Sequence, residues 1–417
     1  MNPVKNSLLL KYWNEPDRVC QYSEPEWELF LLQARATRLA GQWAYKLAQE
    51  ERFDQIPEPA QTALDAAWTY AEHHQRSLNW EIRQVGEALK SLQCPKILLK
   101  GGAYIAQEMN FAQGRLVSDL DFMVPKTHIE QAETLLSQCG WELGKYNPYD
   151  LRYYRQWMHE IPPMVNLQRG TTIDMHHNIL PETSRRSIDA ASMIENSIEL
   201  KSKTPHSEIP ENNTLADTGS WRVLQDVDMV IHSAVHTFQE GEISGSLRDI
   251  IDMDGLLRLF TRSDLASSAP LGDAPENNPR LDNTSTDNGL PPTAPTDFWQ
   301  RLLDRARELH LERPLYYGIH FAREILDTPI PPEALKELNK FGPGYLTRSF
   351  MDSLAYRVLT PPSFAVKSRL TGAATLFLYA RSHYGRMPLK LLIPHLWHKT
   401  FPQDDLPQPD NDGQPMG

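Results

Sequence analysis

The stretch Ser118-Asp119-Leu120-Asp121-Phe122-Met123-Val124 decides how this chain reads. Side chains alternate across a strand, so Leu120, Phe122 and Val124 face one side while Asp119 and Asp121 project together from the other. Like charges held that close raise each other's proton affinity, and a divalent cation removes the conflict. Carboxylate oxygens are hard donors and suit Mg²⁺ or Mn²⁺. Immediately upstream, Lys96 to Leu99 reads as a short buried strand running into a tight turn at Gly101-Gly102, and a helix is predicted from about Ala103 to Asn110. That order turns unhindered backbone N–H groups toward the sheet edge that carries the acids, a place where phosphates dock.

Working outward, alternation predicts a strand over Leu116 to Val124, and apolar spacing predicts a helix from Ile129 to Cys139 ended by Gly140. Val165 to Leu167 and Thr171 to His176 flank Gln168-Arg169-Gly170 as the two arms of a hairpin. In the second arm Thr172, Asp174 and His176 share a face while Ile173 and Met175 point into the core, so Asp174 is offered as a third carboxylate from a neighbouring strand. Two acids plus a third from an adjacent strand form the ligand set of two-metal phosphoryl transfer, with ions about 3.5–4 Å apart. Lys100 and Arg115 flank the acids and serve either triphosphate charge or a structural salt bridge. His176 is a candidate to orient Asp174 through a hydrogen bond.

The remainder is helical in pattern. Residues 1–92 are expected to form an N-terminal helical region broken at Pro57 and Pro59, residues 93–200 an α+β core with a small mixed sheet, and residues 215–262 with 297–400 a helical, acceptor-side region. Leu224, Val227, Ile231 and Phe238 paint one face of a helix capped by Asp217 or Ser220. On it His232 and His236 stand one turn apart, with no third ligand in a recognisable motif. Arg248, Asp249 and Asp252 recur at helical spacing and either face the cleft or pair with one another. Residues 263–296 and 401–417 are rich in Pro, Asn, Asp and Ser and poor in large apolar side chains, so both are expected to be disordered.

The net charge of −12 argues against a coat for gripping long nucleic acid. Against that average, Arg348, Arg357, Lys367, Arg369, Arg381, Arg386, Lys390 and Lys399 between residues 341 and 400 face a single acid, Asp352, a bias toward an anionic partner. Cys20, Cys94 and Cys139 suggest neither a disulfide framework nor a thiolate metal cage, and no apolar run approaches the ~20 residues of a membrane span. A cytoplasmic protein is the expectation.

The succession of strand, Lys100-Gly101-Gly102, helix, Arg115, Ser118-Asp119-Leu120-Asp121 and Asp174-Met175-His176 resembles the uncharacterised bacterial nucleotidyltransferases of the DNA-polymerase-β-like superfamily. The resemblance spans roughly residues 96–178, with a weaker likeness at residues 247–252. It implies transfer of a nucleoside monophosphate from a nucleoside triphosphate to an acceptor, with pyrophosphate released. Lys100, Gly101, Gly102, Arg115 and Ser118 would then hold the nucleotide. Asp119, Asp121 and Asp174 would be catalytic and metal-binding, with His176 and Arg248 behind them. The commoner turn of that superfamily has Ser where this chain has Gly102. The acceptor stays open among a small molecule, a protein side chain and an RNA end. The alternatives are a non-catalytic nucleotide-binding scaffold and a metal-dependent phosphohydrolase.

Replacing residues 263–296 by a short Gly-Ser linker is expected to leave the melting temperature nearly unchanged, because long flexible loops add little closure entropy. A large drop would show that the segment packs.

Overall fold

In the N-terminal part, the side chain and backbone N–H of Ser23 both donate to Glu26 Oε2, at 2.8 and 2.9 Å, and open helix α1 (Glu24–Ala36). Helix α2 (Ala40–Gln49) follows, and Pro59 lies in the first turn of α3 (Glu58–Ala88), where its missing N–H costs nothing. The computed structural model describes residues 2–186, 188–200, 221–240, 243, 245–267, 295–363 and 369–400.

The chain then enters a sheet through β1 (Lys96–Leu98), α4 (Lys100–Ala106), β2 (Leu120–Met123), α5 (Ile129–Gln138), β3 (Trp141–Leu143), α6 (Pro148–Trp157), β4 (Met164–Asn166), β5 (Thr172–His176), α7 (Ala191–Glu195), β6 (Ile198–Glu199) and β7 (Trp221–Val223). The seven strands lie in the order β3-β4-β5-β2-β1-β7-β6. β2 runs antiparallel to β1 and parallel to β5, and the register sets Asp121 directly opposite Asp174. Gly170, with φ of +70°, and Asn166, whose Oδ1 accepts from the N–H groups of Gln168 and Arg169, turn the β4–β5 hairpin. Arg169 and Thr171 then reach Glu81 and fasten that hairpin to α3.

Several boundaries differ from the sequence expectation. β2 starts at Leu120 rather than Leu116 because the N–H of Val117 donates to His74 Nε2 on α3, at 3.0 Å, instead of to a strand. α4 starts at Lys100 rather than Ala103, which draws Gly101 and Gly102 into its first turn. Trp221–Val223 pairs in parallel with β1, with Trp221 packed edge-on against Phe122, so the helix expected there begins only at Asp226. The proposed caps Asp217 and Ser220 lie outside the described residues.

The C-terminal region is helical: α8 (Asp226–Val235), a π-helical stretch His236–Glu240, α9 (Leu247–Ser267), α10 (Pro295–Glu308), α11 (Glu312–Leu326), α12 (Pro332–Phe341), α13 (Tyr345–Leu359), α14 (Arg369–Arg386) and α15 (Leu389–Thr400). The class is therefore α+β, a mixed sheet between N-terminal and C-terminal helices. Every residue of α8 is buried, including Asp226 and Asp228, whose charges are answered by Arg301 and Arg305 of α10. Removing either arginine would strand a buried carboxylate, at a cost of ~3–5 kcal/mol. The proposed insertion falls mostly, and the proposed tail wholly, outside the described residues, while α9 continues through Ser267 and α10 begins at Pro295. Among the described residues no helix is long and apolar enough to cross a membrane.

Gly114 has φ of +76°, and a Cβ on it would lie 2.3 Å from the backbone of Gly41 in α2. Neither backbone can yield. Gly114→Ala is expected to lower stability by at least ~2 kcal/mol through left-handed strain and overpacking, read as a fall in the urea midpoint. An unchanged midpoint would mean that α2 and this loop are not locked together.

Candidate active site

Asp121 sits mid-sheet, on a strand between β5 and β1, and is 5% exposed. Lys100 Nζ donates to its Oδ1 at 2.8 Å, and His176 Nε2 lies 3.1 Å from the same oxygen. Both of these contacts fall on Oδ1. Burial works to raise the pKa of this carboxyl, but the charge of Lys100 and the contact with His176 outweigh it and hold it well below the usual carboxylate range. Lys100 reaches it from a left-handed backbone conformation, φ of +48°, which a lysine adopts only under strain.

Opposite it, Asp174 is pushed up to about 8, first by burial and then by the charges of Asp121, Glu160 and Asp119. Its Oδ1 is buried without a hydrogen-bond partner. Asp119 is half-buried just ahead of β2, and Ser118 is exposed. One sheet edge thus holds a carboxylate fixed in its charged form and a second that resists ionisation.

A polar cleft of about 180 Å³ opens beside Asp121. Lys100, Gly101, Arg115, Ser118, Asp119 and Asp121 line it from the sheet side, and His236, Arg248, Asp249 and Asp252 from the helical side. Asp174 lies across Asp121 from this cleft and does not line it. Asp249 and Asp252 do face the cleft, but Asp252 pairs across elements rather than with Arg248.

Arg115 is 3% exposed and Asp252 2%, and Arg115 Nε and Nη2 donate to both carboxylate oxygens at 2.7–3.0 Å. Burial disfavours the charge on Arg115, but Asp252 outweighs it and keeps the guanidinium cationic. Of the two roles open to Arg115, the structure supplies the salt bridge. Gly101 has a matching reason to be glycine, since a Cβ there would meet Arg115 Nη1 at 1.9 Å. At Gly102 the Cβ would press on Leu120 Cδ1 at 3.1 Å. The Gly-Gly pair, expected as a tight turn ahead of the helix, lies in the close-packed first turn of α4 itself. Arg248 donates to the Leu116 carbonyl at 3.0 Å, while its Nε is buried without a partner.

His176 contacts Asp121 rather than Asp174, the partner expected for it. Two residues not foreseen from sequence stand beside it. The segment at residues 159–161 bonds to the end of β5, with Ile161 N–H donating to Met175 O and His177 N–H to His159 O. This puts His159 and Glu160 against His176, with one donor atom from each within 4.8 Å of the others. No spacing marks them, because the backbone pairing alone brings them there. Among the described residues His232 and His236 do not join such a group. In the basic C-terminal segment Arg381 is packed over the Tyr317 ring with its charge disfavoured by burial, and Arg386 donates to Ser382, so these two cations are engaged within the fold.

The acids thus sit on a mixed sheet with helices before and after it in the chain. The family model described as an uncharacterised nucleotidyltransferase matches residues 23–269, more than half of the chain, and the chain belongs to that family. The match takes in α1 to α9 and all seven strands. No curated protein and no solved structure matches. Such enzymes imply a divalent cation, and the donors fit one: hard oxygens of Asp119, Asp121 and Asp174, one of them buried and unpartnered.

A raised carboxyl pKa costs stability as pH rises. The unfolded Asp174 ionises near pH 4 while the folded one keeps its proton until about 8, so stability falls across that window. In EDTA, Asp174→Asn is expected to melt higher than the parent at pH 8, with the gap closing toward pH 4. A gap independent of pH would show that Asp174 is not destabilised by its charge.

Proposed function

We propose that the chain transfers a nucleoside monophosphate from a nucleoside triphosphate to an acceptor hydroxyl, with pyrophosphate released. The observation that carries this reading is the in-register pair Asp121 and Asp174, one held ionised and the other raised toward neutral pH. Groups with diverging proton affinities at one edge are suited to different tasks in one reaction. In this reading the triphosphate enters the cleft, where Lys100 and Arg248 supply positive charge and Ser118 a hydroxyl. The acceptor approaches from the Asp174 side. Its oxygen forms a bond to the α-phosphorus, the bond to the β-phosphate oxygen breaks, and Asp174, which gives up its own proton when a cation binds beside it, takes the acceptor's proton.

Asp119, Asp121 and Asp174 would hold Mg²⁺ or Mn²⁺, which neutralises phosphate charge and stabilises the attacking and leaving oxygens. Arg115 acts at one remove, by fixing the loop before β2 to α9 through Asp252. The same reading assigns residues 215–262 and 297–400 to the acceptor side, and places the protein in the cytoplasm, supported by three free cysteines. A non-catalytic nucleotide-binding scaffold is the second reading, favoured by the Lys100 contact that already engages Asp121.

The test is incubation with each labelled triphosphate, Mg²⁺ and a cell lysate, following pyrophosphate and the labelled fraction. A labelled acceptor with pyrophosphate supports transfer, phosphate release alone indicates a phosphohydrolase, and neither product indicates the scaffold. Two variants separate the acids. Asp121→Asn is expected to abolish Mg²⁺-dependent triphosphate binding and transfer together. Asp174→Asn is expected to keep most of the triphosphate affinity by calorimetry while losing transfer by ~10²-fold or more, the behaviour of a group acting in the transition state. Parental transfer in Asp174→Asn would remove that residue from the mechanism.

A further inference from the structure

A cluster of side chains with different chemistry, His159, Glu160 and His176, lies beside the acids. His176 Nε2 faces two carboxylate oxygens at once, Asp121 Oδ1 at 3.1 Å and Glu160 Oε2 at 3.5 Å. A single ring N–H can point at only one of them. Glu160 Oε2 is in turn 3.9 Å from His159 Nε2. Two ring nitrogens and one carboxylate oxygen, from His159, His176 and Glu160, therefore lie within 4.8 Å of one another, and both histidines are buried, at 4% and 1% exposure. In a tetrahedral site with bonds of about 2.0–2.1 Å, neighbouring donors stand roughly 3.3 Å apart. The separations seen here need only small side-chain shifts to reach that spacing.

The donors are also held. Ile161 N–H to Met175 O, at 3.1 Å, and His177 N–H to His159 O, at 2.8 Å, pin the backbone carrying His159 and Glu160 to the strand carrying His176. Glu160 and His176 face each other across an isolated antiparallel bridge. A site built on paired backbone is set before any ion arrives. The local charge points the same way, since Asp121, Glu160 and Asp119 all act on Asp174 and Lys100 acts against them.

We propose that His159, Glu160 and His176 bind a divalent transition ion of the zinc type, distinct from the Mg²⁺ expected at the three aspartates. Imidazole nitrogens select such ions, whereas Mg²⁺ prefers an all-oxygen shell and keeps its waters. Because the ion is measured without nucleotide, this inference goes beyond the transfer reading and stands or falls apart from it.

The probe is Zn²⁺ alone, added to the full chain after EDTA stripping and dialysed against excess Mg²⁺, with retained metal measured directly. The parent is expected to retain one Zn²⁺ per chain. His159→Gln and Glu160→Gln are each expected to weaken retention at least ~10-fold, while the exposed control His310→Gln retains it. Circular dichroism shows whether each variant is folded, and where one is not, the other carries the comparison. Co²⁺ bound to the parent gives a readout that needs no variant, its visible bands reporting nitrogen ligation in a four-donor site. The proposal is overturned by a parent that keeps no Zn²⁺ against Mg²⁺, by a folded His159→Gln or Glu160→Gln that retains it as the parent does, by equal loss in His310→Gln, or by absent Co²⁺ bands.

Discussion

Four carboxylates crowd one edge of this sheet, and the charge they carry is the constraint around which the neighbouring structure is arranged. Asp121, Glu160 and Asp119 act together on Asp174, with Lys100 opposing them. The balance is struck unequally. Lys100 and His176 both spend their contact on Asp121, which stays ionised at 5% exposure, and Asp174 is left to be pushed up by burial and by its neighbours. Parallel pairing of β2 with β5 forces this proximity, since the register sets the two aspartates opposite each other. An arrangement of that kind lowers the stability of the empty protein and raises its affinity for cations, two faces of one free-energy difference.

The Arg115–Asp252 pair is what allows the edge to have a cleft beside it. It joins the loop before β2 to α9, and so to α8 and α10, which carry their own buried pairs through Asp226 and Asp228. Gly101 lets the arginine lie against α4, and the Gly41–Gly114 contact lets the same loop lie against α2. The glycines near this site thus answer to close packing of backbone and guanidinium. A packing role for Gly101 does not compete with a binding role for the cleft it helps to shape.

The sequence made the acids legible because a two-residue period is a strong signal. Asp121 lies on one short strand with Asp119 just ahead of it, and Asp174 on another flanked by a hairpin turn, so local pattern alone singles each of them out. The mixed α+β class followed from the same alternation between strand and helix periods. What local pattern could not give was pairing at a distance. Trp221–Val223 is three residues long and becomes a strand only because β1 accepts it, and His159 reaches His176 only through an isolated bridge. The partner of Arg115 lies 137 residues away, beyond any spacing argument.

The position of Asp121 between two unlike environments is the last point the geometry decides. On the β1 side stand Lys100 and a cleft carrying the guanidinium of Arg248, whose Nε has no partner, which suits a polyanion. On the β5 side stand Asp174, Glu160 and two buried histidines, where further negative charge would be repelled unless a cation were present. The tyrosines Tyr146 and Tyr154 lie within electrostatic reach of Asp174 and Glu160, and burial with those acids raises both phenols. On the transfer reading proposed above, a neutral hydroxyl acceptor would fit that second side better than an anionic one, since it adds no charge before its proton is removed. Of the basic residues of the C-terminal helices, Arg381 and Arg386 already have partners within the fold. A charged nucleotide on one side and an uncharged acceptor oxygen on the other is the division of labour that the unequal protonation of the two aspartates favours.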